Sequence, residues 1–81
     1  MQVKNEDKRK PSDELLAILA KNVRALREER KLSQEGLGEL CDFHPTFISL
    51  IERRQRNVTI STLEIVARAL GVKPYQLLQQ V

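Results

Sequence analysis

The chain has 81 residues, of which 41% are apolar, 31% charged and only 4% aromatic, with three glycines and three prolines. That size fits one small domain with a barely sufficient core and argues against an elaborate enzyme, while the shortage of aromatics and turn formers favours helices over sheet. The net charge of +3 favours an anionic partner only weakly. A lone cysteine, Cys41, excludes an internal disulfide, and with a lone histidine, His44, it excludes the usual four-ligand metal site, so no cofactor is expected.

Residues 1–10 carry Lys4, Lys8, Arg9 and Lys10 against Glu6 and Asp7 and almost no apolar side chains, so they are expected to be a flexible basic arm. They lack the apolar stretch of a secretory signal, and no later run is long enough to span a bilayer. A soluble, cytoplasmic protein is the expectation.

The folded domain is expected over 11–81. Ser12 is a plausible N-cap, Asp13 and Glu14 suit the positive end of a helix, and Leu15, Leu16, Leu19, Val23 and Leu26 recur at helical spacing, which predicts a first helix to about Arg30. Ser33 caps a second helix ending near Cys41, with Leu32 placed to staple onto Leu37 and Gly38 marking the close approach of another helix. Cys41 reads as a small core residue.

Pro45 suits the first position of a third helix and forces His44 out of the helical region, which makes His44 the N-cap. Phe43 and Ile48 have staple spacing, Phe47, Ile48 and Ile51 supply a buried side, and the helix is expected over about 45–53. Thr59 or Ser61 caps a fourth helix, the latter with Glu64 as a capping-box partner, and Ile60, Leu63, Val66, Ala67 and Leu70 form its core face. Gly71 ends it, and a fifth short helix opens at Pro74 carrying Tyr75, Leu77, Leu78 and Val81. Those four residues are either core or contacts with a partner.

The stretch "LSQEGLGELCDFHPTFISLIERRQRN" followed by "TLEIVARALGV" resembles helix-turn-helix regulators of the Cro/C1 repressor type, and "RNVTISTLE" is similar to the small controller proteins of restriction-modification systems. The resemblance implies an all-α, five-helix, lambda-repressor-like domain whose second and third helices form the DNA-reading pair. It implies a homodimer on a palindromic operator, with Tyr75, Leu77, Leu78 and Val81 at the two-fold interface and RNA polymerase as a further partner, reached through the exposed part of "LEIVARAL". It also implies that Gln34, beside Ser33, grips a phosphate.

Three departures stand out. Asp42 occupies the turn position where the family has glycine, and Pro45 stands where many relatives carry arginine, which removes the side chain suited to bidentate guanine contact. Leu50 likewise replaces a frequently polar, groove-facing residue. Thr46 and Ser49, three apart on one face, are then the expected base readers, with His44 beside them at the cap. Arg53, Arg56 and Asn57, directly after this helix, are expected on phosphates, and Glu52 is expected to orient a neighbouring arginine.

Two other classes compete. An antitoxin-type interaction module would bind a toxin and its own promoter, yet only residues 1–10 are left to supply a toxin-binding segment. Catalysis needs a base beside a nucleophile, paired carboxylates or a metal, and no such constellation is present in the sequence.

Overall fold

The computed structural model describes residues 10–80, so most of the basic arm and Val81 lie outside the described residues. Four α-helices follow one another: α1 (Asp13–Glu29), α2 (Gln34–Cys41), α3 (Pro45–Glu52) and α4 (Ile60–Leu70). The fifth element, Pro74–Leu78, is a 3-10 helix and not the α-helix expected from its pattern. Five residues leave room for few bonds of the α type, and Asn22 of α1 takes the carbonyls that would otherwise extend the segment. The Asn22 amide donates to the carbonyls of Leu77 (2.9 Å) and Gln79 (2.8 Å), and more weakly to that of Gln76 (3.4 Å).

Each α-helix starts on a side-chain cap. Ser12 Oγ accepts from Leu15 N, Ser33 Oγ from Gly36 N, His44 Nδ1 from Thr46 N and Thr59 Oγ1 from Thr62 N, at 2.8–3.1 Å. Thr59 therefore takes the cap left open between it and Ser61. Each α-helix also ends on a residue with positive φ: Lys31, Asp42, Arg54 and Gly71. At all four, two backbone bonds close the end, as where Asp42 N donates to Glu39 O and Phe43 N to Gly38 O. Only Gly71 is the residue type that reaches this region without steric cost, and Asp42 is among the next best tolerated.

The core joins Leu19 and Val23 of α1, Leu37 and Cys41 of α2, Ile48 and Ile51 of α3, Leu63, Val66, Ala67 and Leu70 of α4, and Leu77. α1 packs on α3 and on the C-terminal 3-10 helix, while α2 packs on α3 and α4. Gly38 fits only because it has no side chain: a Cβ there would come within 2.7 Å of the Phe43 carbonyl oxygen and 3.4 Å of Pro45 N. The close approach at Gly38 thus comes from the turn backbone and the first residue of α3.

Two expectations change. Ile60, placed on the core face of α4, is 75% exposed because α4 begins there and its apolar face starts at Leu63. Leu77, expected at a dimer interface, is wholly buried inside the protomer. Among the described residues, Tyr75, at 68% exposure, and the partly buried Leu78 are the members of that set left near the surface.

Removing the Asn22 amide leaves the Leu77 carbonyl buried without a donor. Asn22→Ala should cost about 1–3 kcal/mol in denaturant unfolding, and Asn22→Asp, which keeps the shape and supplies no N–H, should be no better. Burial raises the Cys41 thiol pKa above its ordinary value. Because the folded-state value is the higher one, this contribution is complete below the unfolded thiol's pKa of about 8.5 and declines as pH rises through it. As pH rises above the unfolded thiol's pKa of about 8.5, the wild type should lose stability more steeply than Cys41→Ala, measured by denaturant midpoints.

Candidate nucleic-acid interface

The side chain that organises this region is Glu52, in the last turn of α3. Arg27 of α1 grips it with two parallel bonds, Nε to Oε2 at 2.6 Å and Nη2 to Oε1 at 3.0 Å, and Gln34 Nε2 donates to Oε1 at 3.1 Å. Arg27 also donates to the Leu32 carbonyl at 2.8 Å, which fixes the link from α1 to α2. The pair is almost closed to solvent, with side-chain exposures of 11% and 5%. Bonding to Glu52 raises the Arg27 pKa against the opposing effect of burial, so the guanidinium stays charged at any ordinary pH.

This arrangement replaces the expected role of Glu52. Its partner is Arg27, 25 residues earlier in the chain, and not an adjacent arginine. The sequence did hold a signal for it. Arg27 continues the Leu19, Val23 spacing, so a charge lies on the buried stripe of α1, and Asn22 lies on the same stripe between Leu19 and Leu26. A charge or amide at such a position needs a buried partner.

With Glu52 neutralised by Arg27, nothing in its own segment offsets Arg53, Arg54 and Arg56, all of which are exposed. The Gln34–Glu52 bond also brings the N-terminus of α2 beside the C-terminal end of α3. Ser33 and Gln34 therefore share one end of the pair with Arg53. Gln34 keeps one amide N–H for another acceptor, and Ser33, whose oxygen caps Gly36, keeps its hydroxyl hydrogen.

The other end carries His44 and Thr46. His44 uses Nδ1 as an acceptor for Thr46 N at 3.1 Å, which leaves Nε2 to donate outward. Thr46 is exposed and Ser49 partly exposed, on the side of α3 away from the buried Ile48 and Ile51. Arg56 returns toward this end from the following loop. Its guanidinium lies 5.2 Å from the centre of the Phe47 ring, which in turn meets Phe43 edge-on with centroids 5.0 Å apart. Such a cation–π contact is worth about 0.5–1 kcal/mol at an exposed site and restricts a long side chain. Asn57 is exposed at the mouth of an apolar hollow that includes Leu15, Leu16, Ile60, Leu63 and Leu78. Arg54 lies farther from the exposed face of α3, along a groove shared with Lys21 and Arg24 of α1.

Among the described residues no group of His, Cys, Asp or Glu side chains is gathered to hold a metal ion, and no helix is long and apolar enough to cross a membrane. Two short helices, locked at a fixed angle with polar N-termini and an arginine-rich exit, make a surface for an extended polyanion.

Residues 23–77 match the helix-turn-helix family model, and the chain belongs to this family of transcriptional regulators. It is 51% identical over 61 residues to the control protein C.SmaI of Serratia marcescens, covering 75% of this chain and 73% of that protein. The crystal structure of a hypothetical transcription factor from Neisseria superposes with a TM-score of 0.79 at 41% identity, covering 85% of this chain and 80% of the other. The restriction-modification controller protein C.Esp1396I, solved as a tetramer in complex with its natural 35 base-pair operator, superposes with a TM-score of 0.71 at 33% identity, covering 78% of this chain and 83% of that one.

The Arg27–Glu52 pair should behave as one unit. Glu52→Ala leaves a buried guanidinium unpaired and should cost about 3–5 kcal/mol, a large part of the stability of a domain this size. Arg27→Met combined with Glu52→Leu should be markedly more stable than Glu52→Ala alone. Urea unfolding of the three proteins checks this.

Proposed function

We propose that the chain is a homodimeric, sequence-specific DNA-binding regulator of transcription that acts on a palindromic operator in the cytoplasm. The observation that carries this reading is the Gln34–Glu52–Arg27 lock, which fixes α2 against α3 and leaves one face polar and positively charged. In this reading α3 enters the major groove while α2 crosses the backbone. Ser33, Gln34, Arg53, Arg56 and Asn57 bind phosphates and position the domain. Thr46 and Ser49 meet base edges, and His44 donates from Nε2 as the helix enters the groove.

A second copy doubles these contacts and sets two recognition helices about 34 Å apart, one turn of DNA. Tyr75 and the partly buried Leu78 are proposed at the two-fold contact, joined by Ile60, since the exposed apolar surface of Tyr75 and Ile60 needs cover. The complex of C.Esp1396I with its operator supports both DNA binding and assembly for a chain of this fold. The exposed Glu64 and Arg68 of α4 are the proposed contact with RNA polymerase. Regulation here is by occupancy of promoter DNA, without a chemical step.

Footprinting on the DNA upstream of the protein's own coding sequence, at two salt concentrations, should give a symmetric footprint whose affinity falls steeply with salt. Binding no tighter than a non-specific Kd of about 10⁻⁴ to 10⁻⁶ M would refute the reading. Arg56→Ala should weaken binding to all sequences alike and lower the slope of log K against log salt by about 0.9 per protomer. Ser49→Ala should instead change the preference among sequences. The reverse pattern would reassign the two residues.

A further inference from the structure

The exposed face of α3 has one apolar member. Leu50 lies four residues after Thr46 and three before Arg53, so these three side chains stack along one side of the helix, with Ser49 next to them. It is two residues from the fully buried Ile48, about 200° round the helix axis. Leu50 is partly exposed and is not among the apolar side chains packed against the core, although Phe47, three residues before it on the same helix, is. The fold therefore gains little from a leucine at this position. A polar residue would be the ordinary choice for a face surrounded by Thr46, Ser49 and Arg53.

We infer that Leu50 is a specificity-determining residue that reads the 5-methyl group of a thymine in the major groove. This inference rests on the proposed DNA-binding role of α3. The edges of adenine, guanine and cytosine offer only hydrogen-bond donors and acceptors in that groove, whereas thymine adds an apolar methyl group. An aliphatic side chain pressed against any of the other three desolvates polar atoms without pairing them. Against a thymine methyl it buries apolar surface on both sides. Pro45, with no donor to offer, opens the helix five residues before it, and the hydroxyls of Thr46 and Ser49 can bond to several bases. A methyl contact thus adds base selectivity to the weak discrimination that these hydroxyls supply.

The test begins with duplexes recovered by the full-length protein from a randomised pool of unmodified DNA. In the recovered site each thymine is replaced in turn by uracil, which deletes the methyl and keeps the pairing edge. At one position per half-site, wild type should bind the uracil duplex about fourfold more weakly, the worth of roughly one buried methyl group. Leu50→Ala should bind thymine and uracil there equally. Leu50→Met, still apolar and long, should retain the difference, and so should Thr46→Ser, which removes the only other methyl on this face but keeps the hydroxyl. Circular dichroism confirms that each variant is folded before its affinities are compared. If no thymine shows a methyl effect, if the effect persists in Leu50→Ala, or if it vanishes in Thr46→Ser, the assignment to Leu50 fails while DNA binding stands. If the pool yields no preferred sequence, the sequence-specific role fails as well.

Discussion

The buried bond between Arg27 and Glu52 is the constraint on which the arrangement of the first three helices depends. It ties the end of α1 to the end of α3, and the remaining capacity of the same two side chains holds Gln34 and the Leu32 carbonyl. Two charges withdrawn from water offset their desolvation only when geometry is good and each remaining donor and acceptor is used. A bidentate guanidinium–carboxylate pair with further hydrogen bonds meets that condition, and no buried side-chain N or O atom among the described residues lacks a partner. The consequence reaches the surface. Glu52 no longer moderates the arginines that follow it, and Gln34 is held in one orientation beside them.

The chain reversals between helices follow a single device. Lys31, Asp42, Arg54 and Gly71 all adopt the left-handed conformation after a helix, and two backbone bonds close each end. Such an end lets the chain change direction sharply: the connections after α1, α2 and α4 take three or four residues, and the one after α3 takes seven. At the turn between α2 and α3 the device also presses the Phe43 carbonyl against Gly38, where any side chain would collide. Asp42 in the left-handed position and Gly38 under the turn are thus two halves of one tight reversal. That reversal sets the angle at which α3 projects.

The proposed interface divides its labour in a way that follows from these constraints. Helix N-termini and arginines supply attraction that is independent of sequence, while short hydroxyls and one leucine meet the bases. Without an arginine or glutamine in the first turn of α3, discrimination per base is modest, and pairing two copies multiplies it. The exposed Ile60 and Tyr75 provide apolar surface for such pairing, whereas Leu77 anchors the last turn to α1 and is unavailable for it. Phe47 adds a positioning element by holding Arg56 near the recognition helix.

Helix caps, apolar spacing and the proline at 45 are local properties, and they were legible in the sequence: Ser12, Ser33 and His44 cap where spacing placed them, and Cys41, Ile48, Ile51 and Leu70 are buried as expected. The spacing placed the helix ends to within about a residue, but the left-handed residue that follows each end was legible only where a tolerant type stands, at Asp42 and Gly71. At Lys31 and Arg54 the left-handed turn is imposed by packing on either side, and the residue type carries no sign of it. The roles of Arg27, Asn22 and Glu52 were decided by tertiary structure alone. Each depends on a partner between 25 and 57 residues away, and spacing along one helix reveals that a polar group is buried but not what will satisfy it. The same holds for Leu77 and Ile60. Pattern marked both as apolar, but only the docking of the last turn on α1 and the starting point of α4 determined which faces inward.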